Sequence, residues 1–219
     1  MTSPSSIPIL LETKDFLVVE KPESLASIRE RDREQPSLHH VLQESRGERL
    51  FIVHRLDKEV SGVILFARNA EAHRHLNDLF AGREVQKVYV AAVHGVITTA
   101  GGSIQKPLRQ FGSGRVGVDD RGREAETHFD VEEKWPASTL VKARPRTGRR
   151  HQIRVHFYSI GHPIIGDSRY GDQALQRGFP RLMLHAHSLS FTDRGGRRVT
   201  VESPLPLSFL QVCEGLKRA

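Results

Sequence analysis

At 219 residues and 24.7 kDa, with 37% hydrophobic and 27% charged residues, the chain fits one globular domain able to bury a real core. Lysine and arginine outnumber aspartate and glutamate by 33 to 26, and this net charge of +7 favours a polyanionic partner, nucleic acid first. The single Cys213 excludes an internal disulfide and a thiolate zinc site, and no apolar run reaches the roughly 18 residues of a membrane span, so a cytoplasmic protein without membrane contact is expected.

Residues 1 to 8 are small, polar and proline-containing, which predicts a flexible N-terminus with no signal peptide, followed by a single domain over residues 9–219. Ile9 to Leu11 and Phe16 to Val19 read as a pair of short strands, and the mixed charges from Arg29 to Glu34 as a solvated loop. Phe51 to Val53 and Val63 to Phe66 are β-rich runs on either side of a polar loop, His54 to Gly62. Asn69 is placed to cap a helix with Glu71 in its first turn, a buried stripe of Ala72, Leu76, Leu79 and Phe80, and Gly82 as its stop. Val88 to Val93 follows as a strand.

From Gly101 to Gly122 six glycines mix with Lys106, Arg109, Arg115 and Arg121, which predicts mobile hairpins too irregular for core. Arg150 to Ile160 has helical spacing, with Ile153, Phe157 and Ile160 on one face and His151, Arg154 and Tyr158 on another, and Gly161 and Pro163 as the stop. Leu182 to Leu184 and Ser188 to Phe191 read as late strands, and Leu207 to Leu216 as a final short helix. Strands outnumber helices without a regular βαβ alternation, so the expected fold class is α+β with a mixed, largely antiparallel sheet and flanking helices.

The segment His54-Arg55-Leu56-Asp57-Lys58-Glu59-Val60-Ser61-Gly62 sets a carboxylate among cations, surroundings that suit a nucleophile or base. The same residues also suit an ordinary surface turn. The chemical reading gains from a resemblance: His54-Arg55-Leu56-Asp57 followed by Ser61-Gly62 is similar to the signature of the RluA-type family of RNA pseudouridine synthases. The similarity continues in order through Lys21-Pro22, Lys87-Val88-Tyr89, Ala125-Glu126-Thr127, the run from Thr147 to His156, Gly161-His162-Pro163-Ile164, Gly166-Asp167 and Leu184-His185-Ala186. The sequence departs from the family pattern at Val60, usually Thr, and at Ser24, where Gly is common.

The resemblance implies the catalytic-domain fold of that family and isomerisation of uridine in RNA without metal, nucleotide or other cofactor. It implies Asp57 as the catalytic aspartate, with Tyr89 and Arg154 as further site positions. The chemistry agrees with these roles. Breaking the bond between ribose and uracil develops positive charge on the sugar, which a carboxylate stabilises or captures. Whether Asp57 attacks the sugar or removes a sugar proton stays open. Arg154, on the polar face of its helix, is expected to turn inward and pair with Asp57, and Tyr89, alternating with Val88 and Val90, to cover an extruded base.

A uridine in folded RNA must be flipped out, at a cost that phosphate contacts offset. From Lys142 to His156 the chain carries six cations, Lys142, Arg144, Arg146, Arg149, Arg150 and Arg154, and no acid. Arg146, Arg149 and Arg150 are the expected RNA contacts, and Arg55 is placed to fill the space the base leaves. No metal site is expected, because His151 and His156 fall on different helix faces and His185 with His187 lacks a third ligand. The expected protein is a monomer acting on structured ribosomal or transfer RNA. From the short N-terminus, no S4 RNA-binding domain of the kind many relatives carry is expected. Alternatives are a non-catalytic RNA-binding or ribosome-assembly factor and a metal-dependent phosphoester hydrolase.

Overall fold

A computed structural model describes residues 7–29 and 36–218. Most of the expected flexible N-terminus and of the mixed-charge loop lies outside the described residues. In chain order the elements are β1 (Ile9–Glu12), β2 (Phe16–Lys21), α1 (Leu38–Arg46), β3 (Phe51–Ile52), β4 (Ser61–Ala67), α2 (Ala70–Ala81), β5 (Gln86–His94), β6 (Gly101–Gln105), β7 (Leu108–Gln110) and β8 (Val116–Val118). They continue with β9 (Glu126–Lys134), β10 (Ser138–Pro145), α3 (Gln152–Ser159), α4 (Gln173–Gln176), β11 (Leu184–Thr192), β12 (Arg198–Glu202) and α5 (Leu207–Leu216). The fold is α+β, with mostly antiparallel strand pairing and five helices among the described residues, as the strand-rich order predicts.

The chain resolves into two compact units. The first, Met1–Lys87 with Ala186–Pro204, orders its strands β1-β2-β4-β11, with β12 on β11 and β3 on β4. Every residue of β4 is buried, so its sequence SGVILFA shows no polar alternation, the pattern of a strand covered on both faces. Val63 and Leu65 of β4 pack with Phe16 and Val18 of β2, Leu189 and Phe191 of β11, and Ala72, Leu76 and Leu79 of α2. The Phe16 and Phe191 rings meet edge to face at 5.2 Å.

Asn69 caps α2 as its position predicts, its side chain accepting the Ala72 N–H at 2.8 Å. Gly82, however, stays right-handed at φ −72°, and the left-handed residue is its neighbour Arg83 at φ 61°. Helix α1 answers to no sequence expectation, although Ser37 caps its start and Gly47, at φ 63°, its end.

The second unit, Val88–His185 with Leu205–Ala219, orders its strands β5-β10-β9-β6, all antiparallel. The segment from Gly101 to Gly122 is more regular than expected: β6 pairs with β9, and β7 with β8. Leu108 and Val116 are buried in a cluster with Ala125, Val155 and Tyr170, so two apolar residues among the glycines suffice to seat the hairpin. Of the late apolar runs, Leu184 and Ser188 to Phe191 fall in one strand, β11, while Leu182 and Met183 are buried just before it. Helix α5 has the predicted bounds and buries Phe209 and Cys213.

Candidate active site

Asp57 and Arg55 belong to the first unit, and Tyr89, Arg146, Arg149, Arg150 and Arg154 to the second. In the first unit the segment from His54 to Asp57 has no regular structure. It enters a tight turn closed by Val60 N–H donating to the Asp57 carbonyl at 3.1 Å. Asp57 is half-buried and Arg55 exposed, while Leu56 and Val60 anchor the loop from inside. Val60 therefore serves as packing where the family pattern has Thr.

Buried Lys21, of the Lys-Pro pair, donates to three carbonyls, those of Pro22 at 2.8 Å, Leu25 at 2.7 Å and Lys58 at 3.0 Å. Three oxygens replace part of the ammonium's water, and one of them belongs to the residue after Asp57. Gly62 leaves the loop at φ 114°, and a Cβ there would stand 2.2 Å from the Ala186 carbonyl oxygen, so only glycine fits. Ser24 also holds a positive φ, 64°, where the family commonly has Gly. Ser24→Gly should stabilise the protein by up to about 1 kcal/mol, relief of strain being partly offset by a freer unfolded chain. A higher urea midpoint with an unchanged slope would register it.

His54 opens the motif from below the loop: its Nε2 accepts the Leu65 N–H at 3.0 Å and its ring stacks on Phe80 at 4.9 Å. Accepting an N–H requires an unprotonated Nε2, and burial, with the Lys87 charge adding, pushes the imidazole from 6.5 down to about 3. Between those values the unfolded chain binds the extra proton, so stability present above pH 6.5 is lost as pH falls toward 3. The loss reaches up to about 1.4 kcal/mol per pH unit. His54→Gln, which keeps an acceptor but does not titrate there, should flatten this slope in denaturant titrations run at successive pH values.

In the second unit Tyr89 is half-buried on β5, opposite Ala143 of β10, with Val90 beside it in the core. Helix α3 departs from the expected amphipathic pattern. It is buried from Gln152 through Phe157, and of the expected polar face His151 and Arg154 are interior while Tyr158 stays exposed. Its helical residues begin at Gln152, because His151 takes a left-handed φ of 53° and breaks the helix there. Gln152 ties the turn before it: Oε1 accepts from Thr147 Oγ1 at 2.7 Å and Arg149 N–H at 3.0 Å, and Nε2 donates to the Glu126 carbonyl and Thr127 Oγ1.

Arg154 is 1% exposed and forks Asp167, Nε to Oδ2 and Nη2 to Oδ1, both at 2.8 Å. Asp167 Oδ1 also accepts the N–H groups of Arg169 and Tyr170. Tyr170 lies under the Arg154 guanidinium at 5.4 Å, and burial raises its phenol. Gly166 makes this turn possible, at φ 75°, since a Cβ would stand 1.9 Å from the Arg181 carbonyl oxygen. The sequence marks Gly166-Asp167 as a motif but does not reveal Asp167 as a partner of Arg154, 13 residues away.

The basic run is less uniform than its sequence suggests. Lys142 pairs with Glu132 at 2.7 Å and Arg144 with Asp130, both acids on the facing strand β9, and Arg154 is interior. Arg146 and Arg150 remain exposed on the turn before α3, and Arg149 Nε donates to the Glu124 carbonyl at 3.0 Å. The histidines are engaged in the fold: His151 Nδ1 meets Tyr170 Oη at 2.8 Å, His156 bridges Thr127 and the Lys106 carbonyl, and His187 meets the Ser203 carbonyl. Among the described residues no group of three or more His, Cys, Asp or Glu could hold a metal ion, and no helix is long and apolar enough to cross a membrane.

The sequence profile of RNA pseudouridylate synthase matches residues 15–159. An uncharacterized RNA pseudouridine synthase of Zymomonas mobilis is 36% identical over 208 residues, covering 92% of this chain and 94% of its own. The ribosomal large subunit pseudouridine synthase C of Escherichia coli is 42% identical over 181 residues, 77% of this chain and 54% of its own. The chain thus spans about half the length of some curated relatives it matches. The solved human RNA pseudouridylate synthase domain containing 1 superposes with a TM-score of 0.79 at 27% identity, covering 100% of this chain and 98% of that one. The chain belongs to the RNA pseudouridine synthase family, in its RluA-type branch, and by that membership is an RNA-modifying isomerase.

Proposed function

We propose that the protein converts specific uridines to pseudouridine in structured ribosomal or transfer RNA, in the cytoplasm and as a monomer. Residues 9–219 act as one catalytic domain, with Asp57 as the essential carboxylate, Arg154 as the cation that orients it and Tyr89 against the base. The observation that carries this reading is the Asp57 turn, half-buried and braced through the backbone on its C-terminal side by the Lys21 ammonium.

The reaction needs that rigidity. The bond between uracil N1 and ribose C1′ breaks, the base turns, C5 bonds to C1′, the C5 proton leaves to solvent, and N1 takes up a proton in exchange. No atom is gained overall, so a fixed carboxylate, a base held in place and exclusion of water are the main requirements. Arg55 fills the space left by the flipped uridine, and Arg146, Arg149 and Arg150 grip flanking phosphates. The chain binds no cofactor in this scheme.

Purified protein incubated with ribosomal and transfer RNA carrying tritium at uridine C5 tests it. Release of tritium, with pseudouridine mapped at discrete positions, is expected. RNA binding without release would instead favour a non-catalytic factor, and chelator-sensitive strand cleavage a hydrolase.

A further inference from the structure

We propose that Ser27 is a positioning residue that fixes Asp57 for the reaction, an inference that rests on Asp57 being the essential carboxylate. Ser27 is 3% exposed, and its hydroxyl serves both backbone groups of Leu56. It donates to the Leu56 carbonyl at 2.7 Å and accepts the Leu56 N–H at 3.1 Å. One hydroxyl proton and two lone pairs allow both bonds at once. Leu56 lies outside any strand, so Ser27 stands where a neighbouring strand's backbone would be.

Ser27 is itself tied down. His39 N–H donates to the Ser27 carbonyl at 3.2 Å and Leu38 N–H to the Ala26 carbonyl at 2.8 Å, which fastens this segment to the first turn of α1. The Leu56 carbonyl shares a rigid peptide plane with the Asp57 nitrogen, so holding that oxygen fixes the plane from which the Asp57 side chain departs. The following peptide plane is held at the Asp57 carbonyl by the Val60 N–H, and the one after it at the Lys58 carbonyl by Lys21. With the hydroxyl gone, the Leu56–Asp57 plane is free to rotate, and a displacement near 1 Å costs about 10²-fold in rate.

Steady-state kinetics on a modified RNA, with amide exchange at Leu56, tests the proposal. Ser27→Ala should lower kcat by about 10²-fold at a nearly unchanged KM and speed exchange at Leu56. Ser27→Thr, which keeps the hydroxyl, should recover most of kcat. Val199→Ala, a buried core truncation in the same unit, should lose stability but not kcat. Should Ser27→Ala fail to fold, Ser27→Cys, with its weaker donor, is measured in its place with the same loss expected. Wild-type kcat in the Ser27 variant, or an equal loss in Val199→Ala, overturns the proposal. Asp57→Asn separates the two readings: activity surviving there removes the role of Asp57 and this inference with it, whereas an inactive Asp57→Asn beside a fully active Ser27→Ala removes the inference alone.

Discussion

Asp57→Asn is expected to lower pseudouridine formation by more than about 10³-fold, or roughly 4 kcal/mol of transition-state stabilisation, with little change in folding or RNA affinity. The substitution keeps the size and planar shape of the side chain and removes its charge. The braces described for this turn reach the backbone of Leu56, Asp57 and Lys58, so they outlast the change. Asparagine cannot capture a sugar cation or take a sugar proton, and both open variants of the mechanism fail together. Tritium release, a melting curve and a filter-binding titration on the same preparation separate chemistry from fold and binding. Full activity in this variant would end the proposed role.

Asp167→Asn should lower stability by about 3–5 kcal/mol, the usual cost of breaking a buried ion pair by removing one partner. At roughly 2–4 °C per kcal/mol for a chain of this size, the melting temperature should fall by about 6–20 °C. The geometry explains the severity. Oδ2 and Oδ1 of Asp167 receive Nε and Nη2 of Arg154, and replacing one oxygen by an amide nitrogen sets donor against donor in a site closed to water. The contacts from Arg169 and Tyr170 survive on the remaining oxygen, so the turn persists while the guanidinium loses its seat. Arg154→Lys should behave similarly, because an ammonium cannot make the fork. Calorimetry of both variants checks this, and a shift under about 2 °C in either would contradict it.

Local signals carried the parts of this fold that depend on neighbours in sequence. Asn69 with the Ala72, Leu76 and Leu79 stripe announces α2, and the apolar runs announce β2, β4 and β5. Where sequence fell short, tertiary partners decide. The glycine-rich segment looks too irregular for core, yet Leu108 and Val116 cluster with Val155 and Tyr170, 39 to 62 residues further on. Arg154 reads as one of a polar helical face until Asp167, brought back by the Gly166 turn, allows its guanidinium to be buried. The cationic run loses part of its charge to acids on β9, which precede it in the chain and face it only once the hairpin closes. Lys21, Asp57, Tyr89 and Arg154 were visible as motif positions. The carbonyls that Lys21 holds were not, since hydrogen bonds to backbone leave no trace in residue identity.

The first unit is discontinuous, and this bears on when the protein becomes competent. Residues Ala186–Pro204 complete a unit otherwise built from Met1–Lys87. They supply Leu189, Phe191, Val199 and Val201 to its core and the Ala186 backbone against which Gly62 packs. Nearly a hundred residues are synthesised between the two segments, so a growing chain that has already emitted Asp57 still lacks the strand that completes its surroundings. A truncated product ending before residue 186 lacks these core residues and should fold poorly and be cleared by proteolysis.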